Sequence, residues 1–171
     1  MIYCEFFVPG KPQGKGRPRF GIGSGCGKRH AYTPHKTALY EAQIRRAATE
    51  AWRRLVLDDE SRNKLRDAPC RVRIVALHPL SKSWPLKQKQ LALQGRLCPY
   101  KPDVDNLCKA VLDALNGVLW RDDVQVQSVA VSKHHAVHAG VAVMVQWAES
   151  DDELLPVPQW TEDVLSCRVS S

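Results

Sequence analysis

The chain has 171 residues, 25 of them Lys or Arg and 18 Asp or Glu, for a formal net charge of +7. That length suits one domain with a single sizeable core. No run of 18 apolar residues predicts a transmembrane helix, and the opening MIYCEFFVPGKP lacks the basic start and long apolar stretch of a secretion signal.

Residues 2–8, IYCEFFV, read as a first strand, closed by Pro9 and Gly10. Residues 10–36 mix glycines and prolines with Lys11, Lys15, Arg17, Arg19, Lys28, Arg29 and Lys36, which predicts an extended loop. Its GIGSGCG run (21–27) invites a nucleotide-loop reading. No strand leads in and no GK[ST] follows, so a flexible linker fits better. Residues 37–56 predict a helix, with Leu39, Ile44, Ala47, Ala48, Ala51, Trp52 and Leu55 as its apolar stripe. Arg45, Arg46, Arg53 and Arg54 along it suit a solvated face as well as DNA contact. Residues 58–67 read as a charged connector, and 70–77 alternate as a strand. A short helix is predicted over 86–94, with Pro85 near its first position.

Residues 103–116 carry the strongest helical signal. Apolar residues fall at Val104, Leu107, Cys108, Val111, Leu112 and Leu115, and Asn116-Gly117 supplies the stop. Residues 118–120 predict a short strand and 121–123 a turn. Residues 124–131 and 140–147 predict two antiparallel strands around a loop holding His134, His135 and His138. The expected architecture is α+β: a single two-layer domain over residues 1–148, with a mixed or antiparallel sheet packed against helices. From Glu149 onward stand six acidic residues and one basic one, a tail (149–171) expected to be loosely attached. Without it, 24 basic and 12 acidic residues leave about +12, which favours a polyanionic partner.

The six cysteines are scattered without a CxxC pair, so a zinc site has no support and a reducing cytoplasm is expected. The three histidines lack a companion carboxylate and read as surface groups.

The chemistry concentrates in KPDVDNLCKAVLDALNGVLWRDDVQV, residues 101–126. On a helix Asp105, Lys109 and Asp113 share one polar face a turn apart, and Asp103 falls at the helix start. Each has an ordinary alternative. Asp103 or Asp105 could be an N-cap, Asp113 could pair with Lys109, and Asp122 and Asp123 could be turn residues. Together they leave unbalanced negative charge that a divalent cation would compensate. Asp oxygens without Cys or His favour Mg²⁺ or Mn²⁺. Such an ion can generate hydroxide and stabilise charge on a phosphate, and Lys109 can assist, so the reaction class is phosphodiester hydrolysis.

This segment resembles the signature of the RusA family of Holliday junction resolvases. The likeness lies in D-x-D-N-L-x-K (Asp103, Asp105, Asn106, Leu107, Lys109), then L-D-A-L (112–115), then D-D-x-Q-V (Asp122, Asp123, Gln125, Val126). VPGKPQGKGRPRF and YTPHKTALYE also look like stretches of that family. The resemblance implies a small homodimeric α+β endonuclease of bacteria or phages that uses Mg²⁺ and nicks two opposed strands of a four-way DNA junction. It implies Asp103, Asp105 and Asp123 as catalytic and metal-binding carboxylates, assisted by Lys109. Asp122 is the alternative to Asp123, because neighbours on a strand point to opposite faces. Lys11, Lys15, Arg17, Arg19, Lys28 and Arg29 are the expected phosphate contacts; Phe20 and Tyr32 suit core packing at least as well as stacking on bases. A broader flap nuclease, a non-catalytic junction-binding protein and a basic RNA-binding protein are the competing readings.

Overall fold

The computed structural model describes residues 2–17, 19–22 and 29–147. The acidic tail, Lys28 and most of the glycine run lie outside the described residues.

Strand β1 (Ile2–Pro9) buries Cys4 and Val8 and turns Tyr3, Glu5 and Phe7 outward, as its alternation predicts. Where a loop was expected, β2 (Arg19–Ile22) and β3 (Arg29–Tyr32) pair as an antiparallel ribbon. Strands of four residues are too short for a period to show. Helix α1 (His35–Arg54) buries Tyr40, Ile44, Ala48 and Trp52, one residue per turn. Leu39, counted in its stripe, is instead 53 % exposed.

The expected connector is a helix, α2 (Asp59–Asp67). It buries little beyond Leu65, so no apolar period betrays it. Its signals are at the ends: the Asp58 carboxylate accepts the Ser61 N–H at 2.7 Å, and acids lead while bases trail. Arg62 caps α1, donating to the carbonyls of Trp52 (2.8 Å) and Leu55 (2.7 Å).

Strand β4 (Cys70–Pro79), helix α3 (Leu86–Leu93), helix α4 (Val104–Leu115), strand β5 (Val126–Ala136) and strand β6 (Gly140–Trp147) complete the domain. Residues 118–120 are a tight turn rather than a strand, after Gly117 at φ +75°. The Gly117 N–H donates to Trp120 O, and the Trp120 indole to Asn116 Oδ1.

The main sheet runs β1-β6-β4-β5. The expected hairpin of the last two strands is therefore corrected: β4 lies between them, parallel to β5 and antiparallel to β6. Burial explains the order. β6 hides Val141, Val143, Val145 and Trp147 on one face and Met144 and Gln146 on the other, so it belongs inside the sheet. β5 exposes residues 127–130 and takes the edge.

Helices α1 and α4 pack together, α1 against β1 and α4 against β5. Trp52, Leu107, Val111, Leu115, Val143 and Trp147 share the core, with the Trp52 and Trp147 rings 5.4 Å apart. Among the described residues a mixed four-stranded sheet with four helices makes this a small α+β domain, as expected. The parallel β4–β5 pair requires a long crossover, and that crossover (residues 80–125) carries the carboxylate segment.

Candidate carboxylate site

Asp103 occupies the N-cap of α4, yet its side chain makes no capping hydrogen bond. The simplest structural use for this carboxylate is thus not realised. Asp103, Asp105 and Lys109 are all exposed. Cys108 registers Asp105: burial, and then the Asp105 charge, push its thiol pKa up.

The turn bearing the two aspartates is held from two sides. Lys133 Nζ on β5 donates to Pro102 O at 2.9 Å, and the Lys15 N–H donates to Asn106 O at 2.9 Å. Gly14 lies flat against this turn. A Cβ there would stand 2.9 Å from Pro102 Cβ and 3.0 Å from Asn106 Cβ.

Asp113 follows Asp105 by two turns, about 12 Å along the axis. Its partner is not Lys109 but Lys15, whose Nζ lies 2.7 Å from Asp113 Oδ2 and 2.5 Å from Glu41 Oε1. Burial opposes the Lys15 charge. Hydrogen bonds to Asp113 and Glu41 outweigh it and hold the pKa above the ordinary lysine value.

Asp122 and Asp123 sit at a 3₁₀ turn (Asp123–Gln125), not on a strand. The argument that they face opposite ways therefore lapses. A side-chain hydrogen bond with Asp122, then burial, then the charges of Asp122 and Asp113 raise the Asp123 pKa above its ordinary value. Gln125 fixes the turn: its Oε1 accepts from Arg121 N and Asp122 N, and its Nε2 donates to Arg66 O. Arg66 Nε reaches Val118 O, and Arg121 pairs with Asp67. The unforeseen α2 is thus a buttress for Asp122 and Asp123. These supporting roles had one local signal, the Gln of the D-D-x-Q-V string.

Asp103 and Asp105 stand at the start of α4, whereas Asp123 neighbours Asp122 and Asp113. Among the described residues no three His, Cys, Asp or Glu side chains converge. The donor chemistry still suits a hard cation. The free oxygens are carboxylate, and the raised Asp123 pKa reflects neighbouring negative charge of the kind a cation would relieve. Mg²⁺ commonly takes one or two carboxylates and completes its shell with water and phosphate oxygens.

Of the expected phosphate contacts, Lys11 and Arg17 are exposed, and Arg19 and Arg29 fall on the β2–β3 ribbon. Lys15 is engaged internally. On α1, Arg45, Arg46 and Arg53 line an open groove of about 480 Å³ with Ala42, Thr49 and Glu50. The histidine loop is corrected as well. His134 and His135 lie within β5, and His135 is buried opposite His78 of β4. Among the described residues no helix is long and apolar enough to cross a membrane.

Two comparisons bear on this arrangement. The family model described as "Endodeoxyribonuclease RusA" matches residues 9–146. The chain is also 33 % identical over 149 residues to the "Uncharacterized protein YqaN" of Bacillus subtilis (strain 168), covering 85 % of this chain and 97 % of that one.

Proposed function

This chain belongs to the RusA family and is an endodeoxyribonuclease, and from that premise we propose that it resolves four-way DNA junctions by Mg²⁺-dependent, paired hydrolysis of two opposed strands during recombination and repair. The observation that carries the reading is Asp103. It holds the N-cap position without capping, beside Asp105, with Lys109 one turn along.

When bound, the divalent ion would supply an activated water and charge stabilisation at the phosphate. Asp103 and Asp105 would hold it from the start of α4, and Asp123, with Asp122 beside it, supplies the further carboxylate. Mn²⁺ would serve the same donors. Lys109 donates toward the phosphate oxygens and offsets their charge. Lys133 and Lys15 fix the Pro102–Asn106 backbone that aims the two aspartates. Lys11, Arg17 and the ribbon Arg19 and Arg29 contact the DNA backbone, so recognition rests on branch shape and charge rather than sequence. A two-fold homodimer matches two symmetry-related scissile phosphates with two equal sites. On this reading the protein works in the bacterial cytoplasm, host- or phage-encoded.

The test is strand cleavage of a synthetic four-way junction, a flap and a linear duplex, with Mg²⁺ or EDTA, beside Asp105→Asn. Paired symmetric nicks confined to the junction, lost with EDTA and in the variant, are expected. Equal cutting of the flap replaces the proposal with a broader branched-DNA nuclease. Tight junction binding without nicking in Mg²⁺ or Mn²⁺ replaces it with a binding protein.

A further inference from the structure

Lys15 belongs by sequence to the basic arm that meets DNA, but its surroundings are those of an internal counter-ion. Its side chain is 20 % exposed, between Glu41 (17 %) on α1 and Asp113 (28 %) on α4. The backbone there is tied down at successive residues. Gly14 is pressed on Pro102 and Asn106, the Lys15 N–H bonds Asn106 O, and the Gly16 N–H bonds Thr37 Oγ1 at 3.2 Å. Both ends of the same lysine therefore touch the carboxylate segment. Its amide meets the Asp103–Asn106 turn, and its ammonium meets Asp113 two turns along the same helix.

We propose that Lys15 is a positioning residue for the nuclease site and not a phosphate contact. The Glu41–Lys15–Asp113 clamp docks the arm on α1 and α4, and the docked arm holds the turn that presents Asp103 and Asp105. A DNA phosphate would have to displace two carboxylates already within hydrogen-bonding distance of the ammonium.

The inference rests on the junction-nuclease reading, and its test separates the two. Lys15→Met keeps the stem and removes the charge; Glu41→Gln keeps Lys15 and removes one carboxylate. Junction affinity is measured in EDTA over a range of salt, nicking in Mg²⁺, and amide exchange at residue 15 without DNA. A positioning role leaves EDTA affinity within about twofold and the salt slope unchanged for Lys15→Met. It lowers kcat about tenfold or more in both variants, and the double variant is little worse than either single one, because the partners act as one unit. Exchange at residue 15 quickens at least tenfold in Glu41→Gln. A phosphate contact gives the opposite pattern. Lys15→Met then flattens the salt slope by about one and raises the junction Kd with kcat intact, and Glu41→Gln tightens junction binding. That pattern, or unchanged kcat and exchange in Glu41→Gln, overturns the proposal. A wild-type protein that cuts no junction sinks the functional reading, while the exchange measurement still judges the clamp.

Discussion

Gly14→Ala is a one-carbon change aimed at the seam between the arm and the aspartate turn. The added Cβ would stand 2.9 Å from Pro102 Cβ and 3.0 Å from Asn106 Cβ. Both are first side-chain atoms, fixed to the backbone, so neither can swing away as the tip of a long side chain can. Overpacking of this kind costs about 1–3 kcal/mol. Removing glycine's freedom from the unfolded chain returns about 0.4–1 kcal/mol. The net expectation is a loss centred on about 1.3 kcal/mol and at most about 2.6 kcal/mol, borne by the arm–turn contact. Gly140→Ala is the control. Its Cβ would fall 2.0 Å from Phe7 Cζ, a closer nominal clash, but Phe7 is 46 % exposed and its ring can rotate into solvent. Urea unfolding should show unchanged slope and a lower midpoint for Gly14→Ala, with Gly140→Ala the milder of the two. Junction nicking should fall with Gly14→Ala alone. A Gly14→Ala protein with wild-type midpoint and wild-type nicking refutes the close approach and the buttressing built on it.

Two further outcomes concern ionisation. The folded state raises the Asp123 pKa, so it disfavours the ionised form, and this group destabilises the fold at neutral pH less and less as pH falls through its folded pKa. Asp123→Asn should therefore be more stable than wild type at pH 7 by urea unfolding, with the difference shrinking toward pH 4, while nicking drops at least tenfold. A variant no more stable at pH 7 contradicts the unfavourable charge effect of Asp122, and the lesser one of Asp113, on Asp123. His78 behaves oppositely: burial first, then His135, Lys133 and Lys11, lower its pKa to about 4. The unfolded chain takes up this proton first, so stability is full above about pH 6.5 and falls toward pH 4, by at most about 3 kcal/mol. His78→Leu should flatten that acid limb, and an unaltered limb would assign it elsewhere.

Helix α4 was legible because its apolar residues recur at helical spacing while its carboxylates stand apart from them; the same spacing explains both burial and exposure. The free carboxylate of Asp103 was not legible, since an N-cap position ordinarily predicts a capping bond. Helix α2 escaped because a short helix held by end charges and an arginine cap leaves no periodic trace. The strand order escaped for another reason. Alternation identifies a strand and its faces, but its neighbours depend on burial across the whole sheet, and β6 outcompetes β5 for the interior. Lys15 shows the limit most directly. Its partners Glu41 and Asp113 are distant in sequence, so composition placed it with the DNA-binding bases and the tertiary structure turned it inward.

The position of β6 bears on how the protein is made. It joins β1 to β4, yet it leaves the ribosome after both, and after every candidate catalytic carboxylate. Until residue 147 emerges, β1 has no partner in the main sheet and β4 lacks one of its two. Sheet closure of this non-local kind is slow compared with helix formation. A half-synthesised chain therefore carries its candidate carboxylates before the sheet that supports them can close.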